Sequence, residues 1–92
     1  MNLEIVMSNR FKKDLKLVHK RGLNLDLLDE VVSTLSRGES LPAKNYDHSL
    51  GGKFSEFREC HILPDWLLIY KIESDKLMLF LFRTGSHSDL FD

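Results

Sequence analysis

Ninety-two residues are enough for one small domain, expected over 1–92, and a chain of this size buries roughly 60 to 65 per cent of its unfolded surface. Apolar residues make up 42% and charged residues 29%, and no run approaches the roughly 20 apolar residues of a membrane span, so a globular protein with no membrane segment is expected. The formal net charge of −1 argues against strong indiscriminate binding to nucleic acid, but residues 10–21 set Arg10, Lys12, Lys13, Lys16, Lys20 and Arg21 against Asp14 alone.

Met1-Asn2-Leu3-Glu4-Ile5-Val6 has no basic stretch ahead of an apolar one, and a secretory signal is not expected. The single cysteine, Cys60, can form no internal disulfide, which fits a reducing compartment and a cytoplasmic protein. Leu3, Ile5 and Met7 alternate with other residues as in a short half-buried strand. Ser8 or Asn9 can cap a first helix, with Phe11, Leu15 and Val18 on one face, lysines opposite and Gly22 as the stop. Asn24 or Asp26 can cap a second, with Leu27, Leu28, Val31, Val32 and Leu35 as its apolar stripe and Gly38 as its end. The short link between them predicts an antiparallel helix hairpin.

Beyond Leu41-Pro42 the period shortens towards that of strands, and residues 53–63, 66–72 and 76–83 read as three strands separated by Pro64-Asp65 and Ser74-Asp75. Connections this short favour antiparallel pairing. The expected fold is α+β: an N-terminal strand, then the two-helix hairpin on one face of a mainly antiparallel sheet of about four strands. Residues 77–82 are apolar on both strand faces, which predicts a central strand. Strand parity puts Arg58, Cys60 and Ile62 on one face and Glu59, His61 and Leu63 on the other.

Three of the four histidines, His48, His61 and His87, fall where strands begin or end, with Asp65 in the tight turn after His61. Taken singly, each has an ordinary reading as a loop or turn residue. Taken together, imidazoles and a carboxylate are what proton transfer near neutral pH requires. Their spacing matches no compact metal signature, and Cys60 points away from His61, so no metal or other cofactor is expected. A metal-free set of this kind suits cleavage of RNA through its own 2'-hydroxyl: one group removes the 2'-OH proton, another protonates the departing 5'-oxygen, and a cation steadies the charge on phosphorus.

Three motifs then define a resemblance: Asp47-His48-x-Leu50-x-Gly52; Arg58-Glu59-x-His61-Ile62-x-Pro64-Asp65-Trp66-Leu67-Leu68-Ile69-Tyr70; and Arg83-Thr84-Gly85-Ser86-His87 with Leu90-Phe91 behind it. Over almost its whole length the chain resembles the RelE superfamily of bacterial toxins and, within it, the YafQ branch of ribosome-dependent mRNA interferases. The resemblance implies a RelE-like fold and cleavage of mRNA in the ribosomal decoding site. It also implies a cognate antitoxin that holds the toxin inactive, with a toxin–antitoxin heterotetramer among the assemblies it allows.

The catalytic set implied is His48, His61, Asp65 and His87, supported by Trp66 and Phe91. His87 is expected as the general acid, Asp65 or His61 as the base or its orienter, and His48 in positioning the phosphate or sharing the proton transfer. Arg83 is the expected cation, Trp66 and Phe91 are expected at the RNA, where Phe91 can stack on a base, and Lys12, Lys13 and Lys16 become contacts to ribosomal RNA. Two rivals stand beside this reading: a non-catalytic antitoxin-binding or corepressor module, and a metal-dependent hydrolase. The basic helix gives a direct test. Lys12, Lys13 and Lys16 replaced together by glutamate are expected to weaken ribosome association and to lower the slope of log affinity against log salt by about 2; sedimentation with ribosomes over a salt series measures both.

Overall fold

Residues 2–91 are described by the computed structural model. The chain runs β1 (Glu4–Met7), α1 (Asn9–Lys20), α2 (Leu25–Ser36), β2 (His48–Ser49), β3 (Arg58–Leu63), β4 (Trp66–Glu73), β5 (Met78–Gly85) and α3 (His87–Phe91). Both long helices start and stop on the signals in their sequence. The Ser8 hydroxyl accepts from the Phe11 amide at 2.9 Å, and Asn24 accepts from the Asp26 amide at 3.0 Å. Each helix ends two residues before a glycine at positive φ, Gly22 at 79° and Gly38 at 76°, a conformation that costs residues with a Cβ far more.

The five strands form one sheet in the order β1-β5-β4-β3-β2. β1 lies parallel to β5 and every other pair is antiparallel. β5 is therefore an interior strand, as its apolar composition on both faces requires. The sheet has one strand more than expected, because His48–Ser49 pairs with Glu59 and Arg58 as a two-residue edge. β3 is shorter than expected. Around Gly52, at φ 64°, the amides of Phe54, Ser55 and Phe57 bond back to the carbonyls of Gly51, Gly52 and Phe54. Those turns satisfy the backbone locally, so strand pairing begins only at Arg58.

Phe11, Val18, Leu28, Val31 and Leu35 from the helices meet Cys60, Ile62, Trp66, Leu68, Tyr70, Leu79 and Leu81 from the sheet in one core. Cys60 and Ile62 turn to the helices and His61 to the other side, as parity requires. Burial pushes the Cys60 thiol up to about 12, which keeps it an inert core group.

The pairing of β4 with β5 slips by one residue: Ile69 opposes Arg83, Tyr70 opposes Leu81, and Phe82 is bulged out. Phe82 packs on Phe57 with ring centroids 4.7 Å apart, while Arg83 and Thr84 both engage Asp14 of α1. Arg83 donates from Nε at 2.8 Å and Nη2 at 3.2 Å, and the Thr84 amide donates at 3.1 Å. The Thr84 hydroxyl accepts from the Trp66 indole at 2.9 Å and donates to the Leu67 carbonyl at 2.7 Å.

This buried junction carries a clear energetic expectation. Asp14→Ala strands a mostly buried guanidinium and an amide, and is expected to cost about 3 kcal/mol; urea unfolding followed by circular dichroism reads it as a lower midpoint with an unchanged slope.

Candidate functional site

His48 and His61 are brought together by the pairing of β2 with β3, in which His48 lies opposite Glu59. The short segment carrying His48 is anchored on both sides. Asp47 accepts from the Tyr70 hydroxyl at 2.6 Å and from Arg58 at 3.2 Å and 3.3 Å, and Arg58 also donates to the Ser49 hydroxyl at 3.0 Å. Burial, reinforced by the bond to Asp47, raises the Tyr70 hydroxyl well above its ordinary value, so it stays a donor at any physiological pH.

Hydrogen bonds to backbone fix which nitrogen of each ring is available. His48 Nδ1 lies 2.7 Å from the Tyr46 carbonyl, and His61 Nδ1 lies 3.2 Å from the Pro64 carbonyl. A carbonyl can only accept, so Nδ1 carries the proton in both rings and Nε2 is the atom that can take up another. Both Nε2 atoms face the same carboxylate: Glu59 Oε1 is 3.5 Å from that of His48 and 3.8 Å from that of His61. Glu59 is only 7% exposed, a buried carboxylate set between two imidazoles.

The other half comes from the β3–β4 turn and the start of α3. Asp65 Oδ1 accepts from the His87 amide at 3.0 Å and lies 2.6 Å from His87 Nδ1. An ionised carboxylate only accepts, so here too the free nitrogen is Nε2. The His87 ring lies 5.9 Å from that of His61, and Phe91, one helical turn on, lies 6.5 Å from His87. All three site histidines thus stand in one row, each with Nδ1 committed and Nε2 left for exchange.

α3 is held at both ends of its first turn. The Ser86 hydroxyl accepts from the Asp89 amide at 3.1 Å, and Asp89 accepts from the Ser86 amide at 2.9 Å, a reciprocal cap. Arg21 at the end of α1 clasps the same carboxylate through Nη1 at 2.5 Å and Nη2 at 3.0 Å, and holds it far below its ordinary pKa. Gly85 sits at φ 154°, where a Cβ would come within 2.9 Å of Asp89 Oδ2. Glycine is required there for backbone and space alike.

His48, His61, Asp65 and His87 are brought together, and Phe91, 55% exposed, flanks them. Lys12, Lys13 and Lys16 are exposed on α1. Two expectations need correction. Trp66, expected at the RNA, is 1% exposed with its indole bonded to Thr84, so its ring is packed in the core and offers no open face to a base. Arg83 is largely buried and spends its donors on Asp14, which makes it an anchor of β5 on α1 instead of an open cation. The bulge at Phe82 breaks the alternation along β5, so strand parity alone does not predict that placement.

Glu59 is the site residue that sequence reasoning left out. Its parity with His61 was visible, but its position opposite His48 depends on the two-residue β2. Among the described residues no three His, Cys, Asp or Glu side chains are arranged to hold a metal ion.

A family model described as a bacterial toxin of type II toxin–antitoxin systems, YafQ, matches residues 3–92. The chain is 40% identical over 89 residues to the mRNA interferase toxin YafQ of Escherichia coli strain K12, covering 96% of this chain and 95% of that protein. The same architecture occurs in the crystal structure of the E. coli DinJ–YafQ toxin–antitoxin complex, at a TM-score of 0.90 and 38% identity, with both chains covered in full at 100%. It occurs also in a metal-bound toxin from Helicobacter pylori, at a TM-score of 0.91 and 48% identity, over 97% of this chain and 99% of that one. The fold and the family match are those of a small bacterial toxin of the type II class. The chain belongs to the YafQ family.

The two bonds from His87, backbone first and then ring, lower the Asp65 carboxyl below its ordinary value of 3.8. A depressed carboxylate contributes stability above its unfolded pKa and loses it as pH falls through the folded one. The Asp65–His87 contact is therefore expected to persist through pH 4 and to fail only below the ordinary carboxylate range. An NMR titration of the Asp65 carboxyl carbon is expected to give a midpoint under 3.8, returning part of the way towards it in His87→Ala, which keeps the amide bond and loses the ring.

Proposed function

We propose that this protein is an endoribonuclease, the toxin of a type II toxin–antitoxin pair, which cuts mRNA in the decoding site of a translating ribosome by metal-free acid–base catalysis. The observation that carries the reading is the shared tautomer of the three imidazoles: each has its Nδ1 directed at an acceptor, and the rings of His61 and His87 stand 5.9 Å apart. That spacing is of the order needed to place a base on one side of a scissile phosphate and an acid on the other. The mRNA interferase activity of the E. coli relative supports it.

In this reading His61 Nε2 takes the proton from the 2'-hydroxyl as the oxygen attacks phosphorus. His87, protonated at Nε2, gives its proton to the departing 5'-oxygen, leaving a 2',3'-cyclic phosphate and a 5'-hydroxyl. Asp65 orients the acid through Nδ1 and has no separate role as base. Glu59 links His48 to His61, so that His48 shares the proton or, when protonated, faces the phosphate as a cation. With Arg83 held by Asp14, His48 is the nearer source of positive charge. Phe91 beside His87 offers a ring for a flanking base.

The described residues include no helix long and apolar enough to cross a membrane, and the toxin is read as acting in the cytoplasm. A cognate antitoxin, related in role to the DinJ partner of the E. coli protein, is its expected inhibitor. The exposed lysines of α1 suit the ribosomal RNA surface that the toxin has to meet.

Primer extension on a message translated with and without the protein tests the reading. Wild type is expected to produce cuts in the reading frame that naked RNA does not show. His87→Ala is expected to slow cutting by roughly 100- to 10,000-fold and to abolish growth arrest on expression. Arrest that survives His87→Ala would mark an interaction module instead of an enzyme.

A further inference from the structure

Tyr46 stands out beside the histidine row. It is 71% exposed, yet its backbone is in the left-handed region at φ 46° and ψ 46°, where a bulky residue is an outlier. The folded core gains nothing from burying this ring. The turn that presents it is nonetheless firmly held: the Tyr46 amide donates to the Ala43 carbonyl at 3.1 Å, and Asn45, itself buried, donates from its amide to the His61 carbonyl at 2.7 Å. Outliers of this kind persist only where surrounding bonds enforce them, and they gather at functional sites.

The ring borders a groove of about 890 Å³ that includes His48 and His61 of the site, with Tyr46, Lys44, Leu63 and Leu27 among its other lining residues. That volume lies within the ~300 to 1,000 Å³ common for sites that take small ligands. Its composition is that of a single-strand nucleic-acid site: an aromatic ring, apolar Leu63 at 41% exposure, and an exposed lysine on the same turn. Tyr46 meets His61 edge-on, with centroids 5.9 Å apart and planes at 77°, a contact that leaves ring surface open to a base.

We propose that Tyr46 and Lys44 form a nucleotide subsite, in which the Tyr46 ring stacks on the base of a single-stranded RNA nucleotide next to the cleaved phosphate and Lys44 meets that nucleotide's own phosphate. The proposal rests on the ribonuclease reading for its substrate and extends it in two ways. It places one neighbour of the scissile bond on the His48–His61 side of the row, opposite the side where Phe91 stands beside His87. It also joins binding to catalysis, because the Tyr46 carbonyl fixes the His48 tautomer: a base that settles on the ring bears on the residue that orients a proton-transfer group. Stacking tolerates any base, so the subsite supplies affinity and register more than sequence choice.

The test separates binding from cutting. A 2'-O-methyl RNA trinucleotide, which lacks the attacking hydroxyl, is titrated into the isotopically labelled full chain and followed by NMR. Upfield shifts of the Tyr46 ring protons are expected, with amide shifts at Lys44 and Leu63. Tyr46→Ala is expected to weaken binding about 10-fold, Tyr46→Trp to retain it, and Lys44→Ala to weaken it and flatten its salt dependence. The His48 contact runs through the backbone of residue 46, so Tyr46→Ala leaves it in place, and circular dichroism verifies the fold.

The same variants are then assayed for cutting on translating ribosomes, where Tyr46→Ala is expected to lower kcat/KM by a similar factor. The subsite is overturned if wild type shows no binding up to millimolar trinucleotide, if the shifts lie away from the groove, or if Tyr46→Ala binds within twofold of wild type. Tyr46-dependent binding by a protein that cuts no message would uphold the subsite and sink the nuclease reading. Cutting by a protein whose trinucleotide affinity ignores Tyr46 would do the reverse.

Discussion

The hydroxyl of Thr84 is the point on which the rest of the structure turns. Buried to 1% exposure, it accepts from the Trp66 indole and donates to the Leu67 carbonyl, while its own amide bonds to Asp14. One residue thereby locks the start of β4, the end of β5 and the middle of α1. The catalytic candidates hang from either side of this lock: Asp65 immediately precedes Trp66, and His87 comes three residues after Thr84. A net hydrogen bond is worth only about 1 kcal/mol, but leaving any member of this buried group unpaired costs the larger desolvation penalty, which makes the set effectively all-or-none.

From that lock the site follows as a set of short, well-anchored extensions. Gly85 turns the chain, Ser86 and Asp89 cap each other, and Arg21 pins α3 to the end of the basic helix. On the far side Asp47 gathers Tyr70 and Arg58 and holds His48 over β3. Pre-organisation of this kind matters for acid–base chemistry because a proton-transfer group displaced by even about 1 Å forfeits much of its effect. Each of the three rings gives up one nitrogen to a fixed acceptor and keeps the other, so the orientation is settled before any substrate arrives.

The buried Glu59 shows how the protein handles charge here. A carboxylate out of water is costly unless it is partnered, and the Nε2 atoms of His48 and His61, 3.5 Å and 3.8 Å from Glu59, offset that cost only when they carry a proton. The same economy explains Arg83 and Asp14, whose pairing at 2.8 Å keeps a largely buried cation neutralised. Positive charge on the surface is concentrated instead on α1, where Lys12, Lys13 and Lys16 are solvated and open to a phosphate surface.

Helix boundaries, strand parity and the histidine set were all legible in the sequence, because each is a local property: Ser8 and Asn24 cap, Gly22 and Gly38 stop, Cys60 and His61 must point apart, and His48, His61, Asp65 and His87 fall at element ends. Trp66 and Arg83 misled for one reason, since an aromatic and a cation beside catalytic residues look like ligand contacts until burial is known. Only the assembled sheet revealed that the bulge at Phe82 turns Arg83 and Thr84 together onto Asp14, that the brief β2 pairing puts Glu59 between two imidazoles, and that Tyr46 is thrust outward in a left-handed turn. Periodicity determines which way a residue faces along its own strand. Which residue waits across the gap is decided by register between strands far apart in the chain, and that is fixed by packing.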